Sequence, residues 1–165
     1  MIDYLESLFE KHSATGVVLD TNLLLLLIVG GARRELIGKK RLNMFSAEDY
    51  DTLSAIVGRF GILATTPNIL TEVSNFADQI TGSHKDAYIG SFVGRLSMLN
   101  EHYVPSNKLV GSDVFNLFGL SDAVIAEIAT RELLVMTIDL PLYQYLSAME
   151  LDVLNFNHIR PNYWT

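Results

Sequence analysis

The sequence predicts a three-layer α/β/α domain around a mostly parallel central sheet. Three observations lead there. Short apolar or β-branched runs (Val17 to Leu19, Ile62 to Thr65, Leu133 to Thr137, Val153 to Phe156) alternate with stretches of helical periodicity. That alternation is the pattern of parallel strands joined by crossover helices. The 165 residues contain no repeat, low-complexity tract or linker, so 1–165 reads as one domain. Apolar residues make up 49% of the chain and charged residues 19%, which is enough to build a core and too apolar for disorder.

Each element follows from local signals. Ile2, Leu5, Leu8 and Phe9 repeat at helical spacing, so a short amphipathic helix opens the chain and ends near Ser13. Val17 to Leu19 is a buried strand with Asp20 at its carboxyl end. Thr21 and Asn22 suit a turn or cap before a core helix over Leu23 to Val29, closed by Gly30-Gly31. Arg33 to Arg41 is a basic loop or short helix. Ser46 is an N-cap with Asp49 at the third helical position, and Tyr50, Leu53, Ile56, Val57 and Phe60 form one helix face that ends at Gly61.

Ile62 to Thr65 is the second strand. Thr66-Pro67 restarts a helix, cap followed by proline at the first position, whose stripe is Ile69, Val73, Phe76 and Ile80. The next helix spans about His84 to Asn100 with Tyr88, Phe92 and Leu96. His102 to Val104 is either a short strand or an extended linker. Phe115 to Leu120 is apolar and broken by glycine, Ser121 caps a helix through Ala129, and Leu133 to Thr137 is the third strand. Asp139 begins a helix carrying Leu142, Tyr145 and Leu146, and Val153 to Phe156 is a final strand.

Composition excludes several functions. Without cysteine there is no disulfide scaffold, thiol nucleophile, iron–sulfur cluster or cysteine zinc site. Nineteen acids against twelve bases give a net charge of -7, which argues against broad electrostatic capture of nucleic acid. Divalent ions would reverse that field locally, so a metal-dependent enzyme acting on phosphodiesters stays open. Met1 to Lys11 lacks the basic-then-apolar pattern of a secretory leader. The most apolar stretch, Leu23 to Val29, falls far short of the roughly 20 residues a bilayer requires. The expectation is a cytoplasmic protein with no membrane partner.

Four carboxylates fall in one place. In an open parallel sheet, functional groups collect beyond the carboxyl ends of the strands. Asp20 lies there after the first strand and Asp139 after the third, with Thr137 two residues earlier on the same side. Glu72 shares a helix face with Ile69, Val73 and Phe76, which turns it toward packed structure. Asp122 opens the helix after Ser121 and follows the stripe of Ile125 and Ala129. Taken singly, each acid has a plain structural role, since Asp139 can cap its helix and Asp122 can stabilise a first turn. Taken together they repel one another, and no Lys or Arg lies within two residues of any of them. One or two Mg²⁺ or Mn²⁺ ions resolve the conflict, because hard cations take oxygen ligands and keep reactive waters.

The motifs Asp20-Thr21-Asn22 after a short apolar strand, Pro67 to Glu72, Gly119 to Ala123, and Val135 to Asp139 occur in that order. Over about 17–146 the chain thereby resembles the PIN-domain nucleases, the shorter toxin-like bacterial members most of all. It differs from those in an added N-terminal helix, a longer middle between Phe45 and Ser121, and an aromatic, asparagine-rich tail. The resemblance implies a PIN-like α/β/α fold and a metal-dependent endoribonuclease whose products carry a 5′-phosphate and a 3′-hydroxyl. It also implies a homodimer and an antitoxin or other inhibitory protein as partner. Asp20, Glu72 and Asp122 match the three principal acids, Asp139 the more variable fourth, and Asn22 and Thr137 the supporting polar positions, with Ser121 beside Asp122. Asp20 and Asp122 are then the direct metal ligands. Glu72 either ligates directly or orients the attacking water, and Asp139 holds a second ion through water.

Arg33, Arg34, Lys39, Lys40 and Arg41 place five of the twelve basic residues within nine positions. They are either a phosphate track for RNA or a solvated face. His12, His84, His102 and His158 show no ligand spacing and read as surface or capping residues. Asn155 to Trp164 covers either an edge of the fold or a partner surface. Two readings compete with the ribonuclease. One is a catalytically silent PIN-like binding or scaffold protein, and the other a phosphohydrolase of small molecules.

Overall fold

The computed structural model describes residues 2–161. The protein is a three-layer α/β/α structure around a five-stranded, all-parallel sheet of order β3-β2-β1-β4-β5. The strands are β1 (Val17–Leu19), β2 (Leu63–Thr65), β3 (Leu99–Glu101), β4 (Leu134–Thr137) and β5 (Val153–Asn155). Val17 pairs with Leu63 on one side and Leu134 on the other. The central strand β1 and its neighbour β4 are buried along their whole length, which explains their continuous rather than alternating apolar runs.

The helices are α1 (Ile2–His12), α2 (Thr21–Ala32), α3 (Ala47–Val57), α4 (Pro67–Ser74), α5 (Ser83–Leu96), α6 (Asp113–Phe118), α7 (Leu120–Ala129) and α8 (Leu140–Ala148). Two local signals appear as expected. Ser46 and Asp49 close a reciprocal capping box on α3, and the Thr66 hydroxyl accepts the Ile69 N–H ahead of Pro67. The core helix α2 contacts β1 and β4 as well as α3, α4 and α5, and Leu23 to Val29 are all buried.

Several boundaries differ from expectation. Asp20 itself caps α2, its Oδ1 accepting the Leu23 N–H at 2.8 Å, so Thr21 and Asn22 are already helical. Gly30-Gly31 do not end α2, which continues to Ala32. A Cβ on Gly30 would fall 2.1 Å from Tyr50 Cδ2, so this glycine serves a close helix–ring contact. The Tyr50 helix, α3, stops at Val57 instead of Gly61, and Phe60 reaches the core from the following turn, edge-on to Phe9 at 5.8 Å. Ile80 lies beyond α4, after a 3-10 turn over Asn75–Gln79.

Helix α5 ends at Leu96 because Leu99 to Glu101 leave it to pair with β2, while 102–104 form no strand. Phe115 to Phe118 belong to α6. Ser121 does not cap α7; Gly119, at φ 89°, makes the turn into it without a side-chain cap. That left-handed φ favours glycine there.

His12 is not a surface residue. It is 1% exposed, with Nε2 2.8 Å from Asp152 Oδ2 and Nδ1 2.8 Å from the Glu132 carbonyl. The tail after β5 folds back onto α3, where the Arg160 guanidinium meets the fully buried Asp49 at 2.9 Å and lies over the Phe45 ring. The remainder of the tail, with Trp164, lies outside the described residues. Among the described residues, no helix is long and apolar enough to cross a membrane.

Candidate active site

The parallel order sends β1, β2 and β4 toward the same end, and the chain beyond each strand builds one cleft there. Asp20 follows β1 directly, and Asp139 follows β4 after Ile138. Glu72 arrives on α4, which follows β2, and α4 packs on α7, which carries Ser121 and Asp122. All four acids line a cleft of about 340 Å³ together with Thr21, Asn22, Arg41, Phe118, Leu120, Ser121 and Thr137. The sequence-predicted acids and their polar supports are thus brought together. Phe118 and Leu120 had no sequence signal beyond their apolar character, and they form a wall because Gly119 turns the chain between two helices.

Asp20 is the deepest of the acids. Its Oδ2 accepts the Thr137 hydroxyl at 2.6 Å and the Ile138 N–H at 2.8 Å, while Oδ1 accepts the Leu23 N–H. Burial pushes its carboxyl above the ordinary value, and these hydrogen bonds act in the opposite direction. The Thr137 hydroxyl oxygen also accepts the Asp139 N–H at 2.9 Å, and Asp139 Oδ1 caps α8 through the Leu142 N–H at 2.8 Å. One threonine therefore fixes both acids. Glu72 accepts the Ser121 hydroxyl on Oε1 and an Arg41 N–H on Oε2 at 3.3 Å. Asp122 is pushed up to about 7, first by burial and then by the charges of Asp139, Asp20 and Glu72.

Hard divalent cations take oxygen ligands from carboxylates, hydroxyls and amide carbonyls. Apart from Arg41, the polar side chains facing the cleft are of that kind, so the donor set fits Mg²⁺ or Mn²⁺ in its chemistry. Among the described residues, no three His, Cys, Asp or Glu side chains are arranged to hold an ion as they stand. Asp20, Glu72 and Asp139 are instead engaged by hydroxyls, backbone N–H groups and Arg41.

The basic segment divides. Arg41 enters the cleft, with Nε donating to Asn22 Oδ1 at 3.2 Å. Arg34 is held away by a two-pronged pair with Asp51 at 2.6 and 2.8 Å, and lies over the Tyr50 ring. Arg33 lies 3.9 Å from Glu35 and does not line the cleft. Lys39 and Lys40 are exposed outside it. No protein-family model, curated protein or solved structure matches the chain.

Proposed function

We propose that the protein is a PIN-like ribonuclease that hydrolyses RNA phosphodiester bonds with Mg²⁺ or Mn²⁺. The observation that carries this reading is the convergence of four carboxylates from four different elements on one cleft at the carboxyl edge of a parallel sheet. Divalent ions bound there would supply an activated water and positive charge for the pentavalent phosphorus and the leaving oxygen.

The chain's own residues prepare for that role. Asp20 and Asp122 are the direct ligands. Asp20 Oδ1 accepts the Leu23 N–H, and a carboxylate oxygen can take more than one partner. Thr137 and the Ile138 N–H hold the other oxygen, so the carboxylate cannot rotate freely. Ser121 orients Glu72 toward the cleft, where it either ligates or positions the attacking water. Asp139 stands at the rim, restrained by its capping bond.

The test is cleavage of defined RNAs with Mg²⁺ or Mn²⁺, comparing wild type with Asp20→Asn and Asp122→Asn. Each variant should lose about 10²-fold or more in rate while remaining folded, as expected when charge stabilisation of a transition state is removed. A wild-type protein inactive on several RNAs with both metals, and with no inhibitor copurified, would make the silent binding protein the better reading.

A further inference from the structure

Among the described residues, Arg41 is the single Lys or Arg lining a cleft that also holds four carboxylates. Its guanidinium has five N–H donors, and it spends them sparingly. One reaches Glu72 at 3.3 Å and one reaches Asn22 at 3.2 Å. Other arginines in the chain grip their partners more firmly. Arg34 meets Asp51, and Arg59 meets Glu6, each through two short bonds of 2.5 to 2.8 Å.

The root of Arg41 is fixed, and its head is held by two long bonds. Arg41 stands on a 3-10 turn, Lys40–Leu42, whose Leu42 is wholly buried. Its side chain remains about one-third exposed. A cation in this position relieves repulsion at Glu72, yet it leaves three further carboxylates without a basic partner in the cleft.

We infer that Arg41 is the resident counter-cation of this cleft, and that it gives up Glu72 to an entering divalent ion and then holds a phosphate oxygen of the nucleic acid. This rests on the metal-dependent reading above. Two cations cannot share one carboxylate oxygen without repulsion, so a divalent ion at Glu72 displaces the weakly held guanidinium. The freed fork matches the geometry of a phosphate, which a divalent ion held by the carboxylates would bring to the same cleft. Arg41 is then a positioning residue that links metal loading to substrate capture. Arg34, already saturated by Asp51, does not share that role.

The experiment measures Mn²⁺ affinity by calorimetry for wild type, Arg41→Gln and Arg41→Lys. It then measures binding of a cleavage-resistant single-stranded RNA, with phosphorothioate and 2′-O-methyl linkages, with Mn²⁺ and with EDTA. Arg41→Gln should bind Mn²⁺ about three- to tenfold more tightly, the scale set by removing one partly screened charge. Arg41→Lys, which keeps the charge, should stay near wild type. Mn²⁺ should strengthen RNA binding by wild type, and Arg41→Gln should lose most of that gain. If wild type takes up no Mn²⁺, the metal-dependent reading falls and this inference falls with it. If wild type binds Mn²⁺ and Arg41→Gln binds it no more tightly, the counter-cation role alone is overturned. If Mn²⁺ binding tightens but RNA binding is unchanged, transfer of Arg41 to phosphate is overturned.

Discussion

Thr137 donates its hydroxyl proton to Asp20 at 2.6 Å, joining the ends of two neighbouring strands over a buried carboxylate. The two residues are 117 positions apart in the chain. The same hydroxyl oxygen receives the Asp139 N–H, so a single atom sets the positions of two acids of the cleft. A buried charge is tolerated only when its hydrogen bonds are supplied, and here the sheet supplies them.

Replacing Thr137 by valine preserves shape and removes the donor. The expected loss is about 1–3 kcal/mol, the cost of leaving a buried acceptor short of a partner. In an Asp20→Asn background the same substitution should cost less, because the acceptor no longer carries a charge. Urea unfolding of the four proteins in the cycle measures the coupling. Equal losses in both backgrounds would show that the charge of Asp20 adds nothing to its bond with Thr137.

Asp122 gives a pH dependence with a definite sign. Its carboxyl is ordinary when the chain is unfolded and pushed up to about 7 when folded. The folded state therefore prefers the protonated form. This contribution is fully present below about pH 4 and is lost as the pH rises to about 7. In EDTA at pH 8, Asp122→Asn should be more stable than wild type by about 1–2 kcal/mol, a figure already reduced for solvent screening of a partly exposed group. At pH 4 the advantage should vanish. Denaturant midpoints at the two pH values decide it.

Gly30 faces the Tyr50 ring with no room for a methyl group. Gly30→Ala should destabilise the protein by about 1–3 kcal/mol through overpacking, although alanine is the better helix former. Tyr50→Leu in the same chain should recover part of that loss. A thermal melt showing Gly30→Ala as stable as wild type would exclude the close contact.

The Arg160–Asp49 pair ties the tail to the start of α3, with Asp49 fully buried. Removing the cation strands a charge that also belongs to the capping box. Arg160→Met should cost about 3–5 kcal/mol, and adding Asp49→Asn should return part of it. Guanidinium unfolding of the single and double variants provides the comparison.

Local chemistry was legible in the sequence. The Ser46–Asp49 box, the Thr66-Pro67 start and the strand runs depend on residues a few positions apart, and the structure contains them. The order of acids after strands and on inward helix faces also sufficed to predict that they meet. Only the tertiary structure decided where α5 stops, since Leu99 leaves the helical path to pair with Leu63. It likewise decided that Gly30 packs instead of terminating α2, that Asp20 rather than its neighbours caps it, and that Ser121 orients Glu72 instead of capping α7. Among five clustered basic residues it singled out Arg41 for the cleft, because Arg34 is taken by Asp51. The division has one physical cause. Caps and periodicity are satisfied by neighbours along the chain, whereas strand pairing, close packing and the pairing of buried charges depend on residues that only folding makes adjacent.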